Sequence, residues 1–251
     1  MLLRTVRTLE IRIASPRRRD QIILAYASHA CLEDAERQLK TLLSPAETRH
    51  FHSIRSKKSR DSFLLGRVAA KAAICRHANI ESARTVDIRH GAFEQPVVSC
   101  NAAHSTALTL SHTDSAALAV AHDADHPMGV DMETTTVDRP HLLRSNALRD
   151  SYLCAASPKI GPRDALFITW AAKEALSKAL RCGLGCSFKV LGIERVEVDA
   201  RGACVGEFTD FKQYQFVAWI TGPFVIALVC SKRVAIREYL PRIAAYIERN
   251  Q

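Results

Sequence analysis

The stretch Gly129-Val130-Asp131-Met132-Glu133 most narrows the folds open to this chain. Read as a strand, it sends Val130 and Met132 to one face and Asp131 and Glu133 to the other, because side chains alternate. About forty residues on comes Trp170-Ala171-Ala172-Lys173-Glu174-Ala175-Leu176-Ser177-Lys178, rich in good helix formers. Glu174 and Lys178 stand four residues apart and so share a helix face. A fold that joins this strand to this helix collects three carboxylates and a cation. Oxygen-only ligands suit magnesium, which keeps several waters and borrows phosphate oxygens. The plainer alternative is a solvated Asp-x-Glu strand face and an exposed Lys-Glu-x-x-x-Lys helix, whose pair contributes only a few tenths of a kcal/mol. Spacing alone leaves both readings open.

The periodicities place these pieces in order. Residues 1–20 are basic and read as irregular, with Arg17-Arg18-Arg19 as a solvated turn or a phosphate contact. Gln21–Tyr26 has strand character, and Cys31–Leu43 carries apolar residues at helical spacing. Ser44-Pro45-Ala46-Glu47 is a helix start: Ser as cap, Pro first, Glu three residues after the cap. Helices are expected over 45–58 and 60–78. Gly66 in the second costs about 1 kcal/mol relative to Ala, which points to close approach of another element. Arg67 and Lys71 lie together beside its apolar stripe, either as a solvated basic face or as ligands.

Val86–Arg89 reads as a short strand, and Ala107–Leu110 and Ala116–Ala121 as two more. The latter pair flanks Ser111-His112-Thr113-Asp114, either a turn cap or a donor pair for a phosphate. A polar link, His122–Pro127, suggests a boundary. Beyond the Asp-x-Glu strand, a helix is expected over 140–156, a break at 157–162, and a long helix over 165–181 capped by Asp164. Four strands over 190–198, 202–209, 213–220 and 224–230 read as an antiparallel meander, with a final helix over 234–249. No repeat is visible in the sequence.

These blocks, in this order, resemble the 4′-phosphopantetheinyl transferases. Gly-Val-Asp-Met-Glu followed by Trp-x-x-Lys-Glu-x-x-x-Lys is similar to that family's paired signature. Ser111-His112 lies where the family has a Ser-His pair, and Gly66-Arg67 where many members have Gly-Arg in a helix. The length is similar to the two-lobed, Sfp-like branch rather than the half-length, trimer-forming synthases. The resemblance implies an α+β fold of two similar lobes, related by a pseudo-twofold, each an antiparallel sheet packed by helices. Residues 1–127 would form the N-terminal lobe, contacting coenzyme A phosphate and adenine, and 128–251 the C-terminal lobe with metal and catalytic helix. The implied reaction moves phosphopantetheine from coenzyme A to a serine of an apo carrier protein, releasing 3′,5′-ADP.

The implied metal is magnesium, with manganese as the alternative, on Asp131, Glu133 and Glu174. Glu174 is the implied base, with a Glu133-held water as the competing route, and Lys178 the group that stabilises the departing phosphate. Cofactor contacts are implied for Arg67, Lys71, Ser111, His112, Asp131 and Lys178. Lys173 is a phosphate contact or a surface lysine; Trp170 is expected to pack and fix the helix. The chain departs from the family's usual Gly-Lys-Pro at Glu94-Gln95-Pro96; either the loop packs against adenine with its backbone or Arg89 compensates for the missing lysine.

Composition narrows the partners. Apolar content of 47% is enough for a sizeable core. Lys plus Arg exceed Asp plus Glu by 35 − 26 = 9, which draws the chain to polyanions, acidic carrier domains among them. A non-catalytic binder of nucleotide or nucleic acid is the alternative class. It calls for clustered basic residues with interleaved aromatics, whereas aromatics are 6% here and the basic residues are dispersed. Arg4, Arg7, Glu10 and Arg12 interrupt any apolar leader, and no apolar run approaches a membrane span. The expectation is a cytoplasmic monomer with free thiols, and no zinc site at Cys182-x-x-x-Cys186, which lacks a second ligand pair.

Overall fold

A computed structural model describes residues 6–14, 19–136, 147–155 and 157–251. The architecture is α+β, and the chain divides into two units: Met1–His126 with Arg249–Gln251, and Pro127–Glu248. No described helix is long and apolar enough to cross a membrane. All eight cysteines are free thiols.

The first unit runs β1 (Thr8–Ala14), β2 (Arg19–Ser28), α1 (Leu32–Arg37), α2 (Leu39–Leu42), α3 (Pro45–Ser53), α4 (Lys57–His77), β3 (Asp87–His90), β4 (Pro96–Ser99), β5 (Thr106–His112) and β6 (Ala116–Asp123). Its sheet is antiparallel in the order β1-β2-β6-β5, and β3 and β4 form a separate hairpin. Helix α4 lays Leu64, Leu65, Val68, Ala69 and Ala72 on Ile23, Ala25, Ala117, Ala119 and Ala121. The alanines of the strands keep the sheet surface shallow, so a long helix can lie close to it.

Residues 8–14, expected to be irregular, are a strand: Ile11 lies opposite Ile22 of β2. The alternation Leu9, Ile11, Ile13 against Glu10 and Arg12 is its signal, set among arginines that read as a basic arm. Arg17 and Arg18 lie outside the described residues.

The second unit runs β7 (Gly129–Thr134), α5 (Ala147–Ala155), α6 (Pro162–Ala179), β8 (Ile193–Val198), β9 (Cys204–Phe208), β10 (Tyr214–Thr221), β11 (Phe224–Ser231) and α7 (Ile236–Glu248). The meander β8 to β11 forms as expected, and β7 adds to its far edge beside β11, giving the order β7-β11-β10-β9-β8. Helix α5 is the described part of the helix expected over 140–156; residues 137–146 and 156 lie outside the description. Helix α6 starts earlier than expected. Gly161 is its cap and Pro162 its first residue, so Asp164 sits in the first turn, where it favours the helix dipole rather than capping.

Each unit holds its long helix by the same device. In the first, Lys71 of α4 is fully buried, with Nζ 2.5 Å from Glu47 Oε2 and donating to the carbonyls of Leu42, Ala83 and Val86 at 2.8, 3.0 and 2.7 Å. Glu47 also closes the capping box of α3 with Ser44 and accepts from Ile88 N of β3. In the second, Lys173 of α6, 1% exposed, pairs with Asp150 of α5 at 2.6 Å. Asp150 accepts from Ile193 N of β8. Buried lysine, carboxylate of the preceding helix and strand N–H recur in both units, a repeat of chemistry that the sequence does not display.

A buried ion pair that loses one partner costs about 3–5 kcal/mol. Glu47→Gln, which strands two buried cations, should therefore lower stability by about that amount in a urea titration. A change within about 0.5 kcal/mol, as at ordinary surface positions, would remove Glu47 from the centre of the first unit.

Candidate functional site

The second unit brings strand β7 and helix α6 together at Gly129. A Cβ there would stand 1.8 Å from the carbonyl oxygen of Ala175 and 2.8 Å from Ala179 N. Only a glycine lets the strand backbone lie this close. Ala171, Ala175 and Ala179, four residues apart and buried, form the matching small face of the helix. Asp131 and Glu133 follow Gly129 on the same side of the strand, as alternation requires. Their partners on β11, Ala227 and Val225, belong to the core that includes α6. Glu174 and Lys178 immediately precede Ala175 and Ala179, so the two pairs meet along one seam.

Asp131 is 4% exposed, and Lys178 donates to its Oδ1 at 2.7 Å. The Glu174 carboxyl is raised from its ordinary 4.5 to about 7. Burial is the first cause and the Asp131 charge the second; Lys178 pulls the value down, and Glu133 adds a further push upward. The three expected carboxylates therefore share one field. Among the described residues, no three His, Cys, Asp or Glu side chains are drawn together tightly enough to hold an ion. The donor set is nonetheless all hard oxygen, and an ammonium already sits on Asp131. The oxygen donor set suits a hard ion such as magnesium better than zinc, and the ammonium shows that Asp131 is a site for positive charge.

The neighbours of this seam are structural. Lys173, read as a phosphate contact or a surface lysine, is neither: its ammonium is spent on Asp150 and on Phe188 O at 3.4 Å. Trp170 packs on Phe188 with ring centroids 4.8 Å apart, tying the loop after α6 back onto the helix.

The first unit carries a cavity of about 570 Å³. Its wall brings together pieces that are far apart in the sequence: Gly66 and Arg67 of α4, Arg89 and His90 of β3, and His112 of β5. Arg67 is 7% exposed. Its Nε lies 2.9 Å from Glu47 Oε1, off the line of the N–H, its Nη2 donates to Ile88 O, and its guanidinium rests 4.4 Å from the Phe63 ring centroid. Burial lowers its pKa, opposed by the Glu47 charge. Glu47 thus faces two cations, Arg67 and Lys71, and the Asp87 carboxylate adds to the negative field around Arg67.

His112 shares a hydrogen bond between Nδ1 and Ser62 Oγ at 2.9 Å, which fixes its ring at the wall. A Cβ at Gly66 would meet the His112 ring and Leu110 at ordinary contact distances of 3.9 and 3.6 Å. The glycine therefore leaves the cavity floor open; it does not serve a tight helix crossing.

Two sequence expectations are corrected here. Lys71 is neither a solvated face nor a cofactor contact, because its three N–H groups go to backbone carbonyls, its charge is paired with Glu47 and the side chain is fully buried. Ser111 and His112 do not act as a pair at a turn: both lie on β5, and Ser111 is buried on the face opposite the cavity. The turn follows them, with Thr113 N donating to Ala116 O. Gln95, which stands where the resemblance expects lysine, folds over its own turn and accepts from Phe93 N at 2.9 Å. Arg89 and His90 line the cavity in its place, joined by His50 and Lys58. None of these four stood out in the sequence as a set, because only folding gathers them.

Gly129→Ala must push α6 off β7 or fail to form the seam. Overpacking of this kind costs about 1–3 kcal/mol, read as a drop in the denaturation midpoint, and an unchanged midpoint would contradict the contact. Glu174 gives a pH test. The folded protein keeps its proton up to about 7, whereas the unfolded chain releases it near 4.5. That contribution is fully present below about 4.5 and is lost as pH rises through 7. Glu174→Gln removes the titration. In metal-free buffer the variant should gain stability relative to the native protein between pH 5 and pH 8 (roughly the span of the shift). A relative loss over that interval would refute the raised value.

Residues 127–230, a span that begins just before β7 and stops within β11, match the model of the 4′-phosphopantetheinyl transferase superfamily. Among solved structures, a holo-(acyl-carrier-protein) synthase from Bacillus anthracis str. Ames, in complex with CoA (3′,5′-ADP), is similar over 45% of this chain and 97% of that one. The two are 16% identical, with a TM-score of 0.35. No curated protein matches the chain. The residues similar to the superfamily model include Asp131, Glu133, Glu174 and Lys178, the four groups gathered on the β7–α6 seam.

Proposed function

We propose that this chain transfers the 4′-phosphopantetheine group of coenzyme A to a serine hydroxyl of an apo acyl or peptidyl carrier protein. The serine oxygen forms a bond to the phosphorus that bears the pantetheine arm, the bond to the bridging oxygen breaks, and 3′,5′-ADP leaves. The observation that carries this reading is the β7–α6 seam, where Glu174 titrates near neutrality beside Asp131, Glu133 and Lys178, inside the segment similar to the superfamily model.

The chemistry asks for little covalent work and much positioning. A carboxylate with an ordinary pKa is a poor acceptor for an alcohol proton. Glu174, raised to about 7, is a better one and still half ionised at neutral pH. Lys178, one turn on, supplies a positive charge for the oxygen that departs. Magnesium, with manganese as the alternative, would be held by Asp131, Glu133 and Glu174 and would supply Lewis-acid polarisation of the diphosphate. The cavity of the first unit suits a nucleotide phosphate: Arg67 and His112 line it with Arg89, His90, His50 and Lys58, against Glu94 and Asp114. The surplus of basic groups across the chain would speed encounter with an acidic carrier domain.

The full chain, incubated with coenzyme A, magnesium and an apo carrier, should add one phosphopantetheine to the carrier by intact mass. Glu174→Ala or Asp131→Ala should slow that gain by about 10²–10⁴-fold with the circular-dichroism spectrum unchanged. Near-normal turnover in either variant would refute the site. A protein that binds nucleotide but modifies no carrier in a broad panel would favour the non-catalytic class.

A further inference from the structure

Three lysines project from the two long helices into their units, and they are not alike. Lys71 and Lys173 are 0% and 1% exposed, each tied to a carboxylate and to backbone carbonyls. Those ammonium groups cannot leave without unmaking the core. The Lys178 side chain is 28% exposed, and the bond the structure shows for it is the 2.7 Å contact to Asp131 Oδ1. Its stem has a path to solvent. Asp131 has far less freedom: its side chain is 5% exposed and its strand is locked to α6 through Gly129.

We infer that Lys178 is the site's resident cation in the metal-free protein, and that a divalent ion binds Asp131 only by displacing this ammonium. The inference rests on the magnesium reading above. A nearly buried carboxylate without a counter-charge is strongly destabilising, so the empty site needs a cation of its own. Lys178 provides one that is attached and always present. An ammonium and a divalent ion repel each other and compete for the same small carboxylate. Because β7 and α6 are in backbone contact, the carboxylate and the helix cannot separate to admit both. The flexible lysine stem is the part that moves. Once displaced, the ammonium is available to a phosphate oxygen, so divalent-ion binding and phosphate binding become coupled through one side chain. A site built this way stays folded without metal and presents its phosphate-binding lysine only when metal is in place.

Magnesium alone, titrated calorimetrically into the metal-free full chain, tests this. Lys178→Gln keeps an amide donor for Asp131 and removes the competing charge; Lys178→Arg keeps the charge. The Gln variant should bind magnesium roughly 5- to 150-fold more tightly than the native protein, the range of ordinary site-to-site coupling. The Arg variant should bind no more tightly than native. Magnesium should also raise the melting temperature more in the Gln variant than in the native chain. A merely structural lysine would not tighten metal binding when removed. Unchanged or weaker binding in the Gln variant overturns the inference and leaves the magnesium reading standing. Absence of heat with all three proteins removes the magnesium reading, and the inference with it. Should the Gln variant not fold, reductive methylation of the native protein decides the matter: Lys178 should label faster with magnesium than without, and equal labelling would refute displacement.

Discussion

The contact between the backbone of Gly129 and the Ala175–Ala179 face of α6 is the constraint on which the second unit's site depends. A strand and a helix normally meet through two layers of side chains. Here one layer is missing on the strand and reduced to methyl groups on the helix. The side chains that flank the contact, Asp131 and Glu133 on one element and Glu174 and Lys178 on the other, are thereby brought within electrostatic reach of one another. Low dielectric then does the rest. Burial first, and the neighbouring Asp131 charge second, push Glu174 up to about 7.

The fold tolerates this concentration of charge because it manages buried cations in two distinct ways. Lys71 and Lys173 are permanent fasteners, saturated by a carboxylate and backbone oxygens, and they hold each long helix to the helix and strand beside it. Lys178 and Arg67 are less completely enclosed by their partners and border a seam or a cavity. The distinction separates scaffold from chemistry better than charge or position does, since all four residues belong to the same two helices. It also explains the recurrence of the buried lysine in both units: each unit meets the same mechanical problem and reaches the same answer.

Much of this was legible in the chain. The Ser44-Pro45-x-Glu47 start, the α4 stripe, the four-strand meander and the Asp-x-Glu strand each carry a local signal, and each forms. Where reading failed, a second role was hidden. Glu47 was visible as a capping residue and invisible as the counter-ion of Arg67 and Lys71, because one carboxylate can satisfy a helix end and a buried ammonium at once. Thr8–Ala14 alternates as a strand should, but Arg12 and the arginines on either side of the segment weigh towards a solvated arm. Gly66 and Gly129 look alike in a sequence, one set in a helix and the other opening a strand. The first faces an open cavity and the second a helix backbone.

By itself the sequence determined the local elements, the pairing of Asp131 with Glu133 and of Glu174 with Lys178, and the surplus of positive charge, because each follows from spacing and composition within a few residues. Tertiary structure alone decided which lysines are spent and which can exchange partners. It also decided which face of β5 reaches the cavity, and how far the carboxyl of Glu174 is shifted. Those properties depend on burial and on charges contributed from distant segments, and no window of sequence contains them.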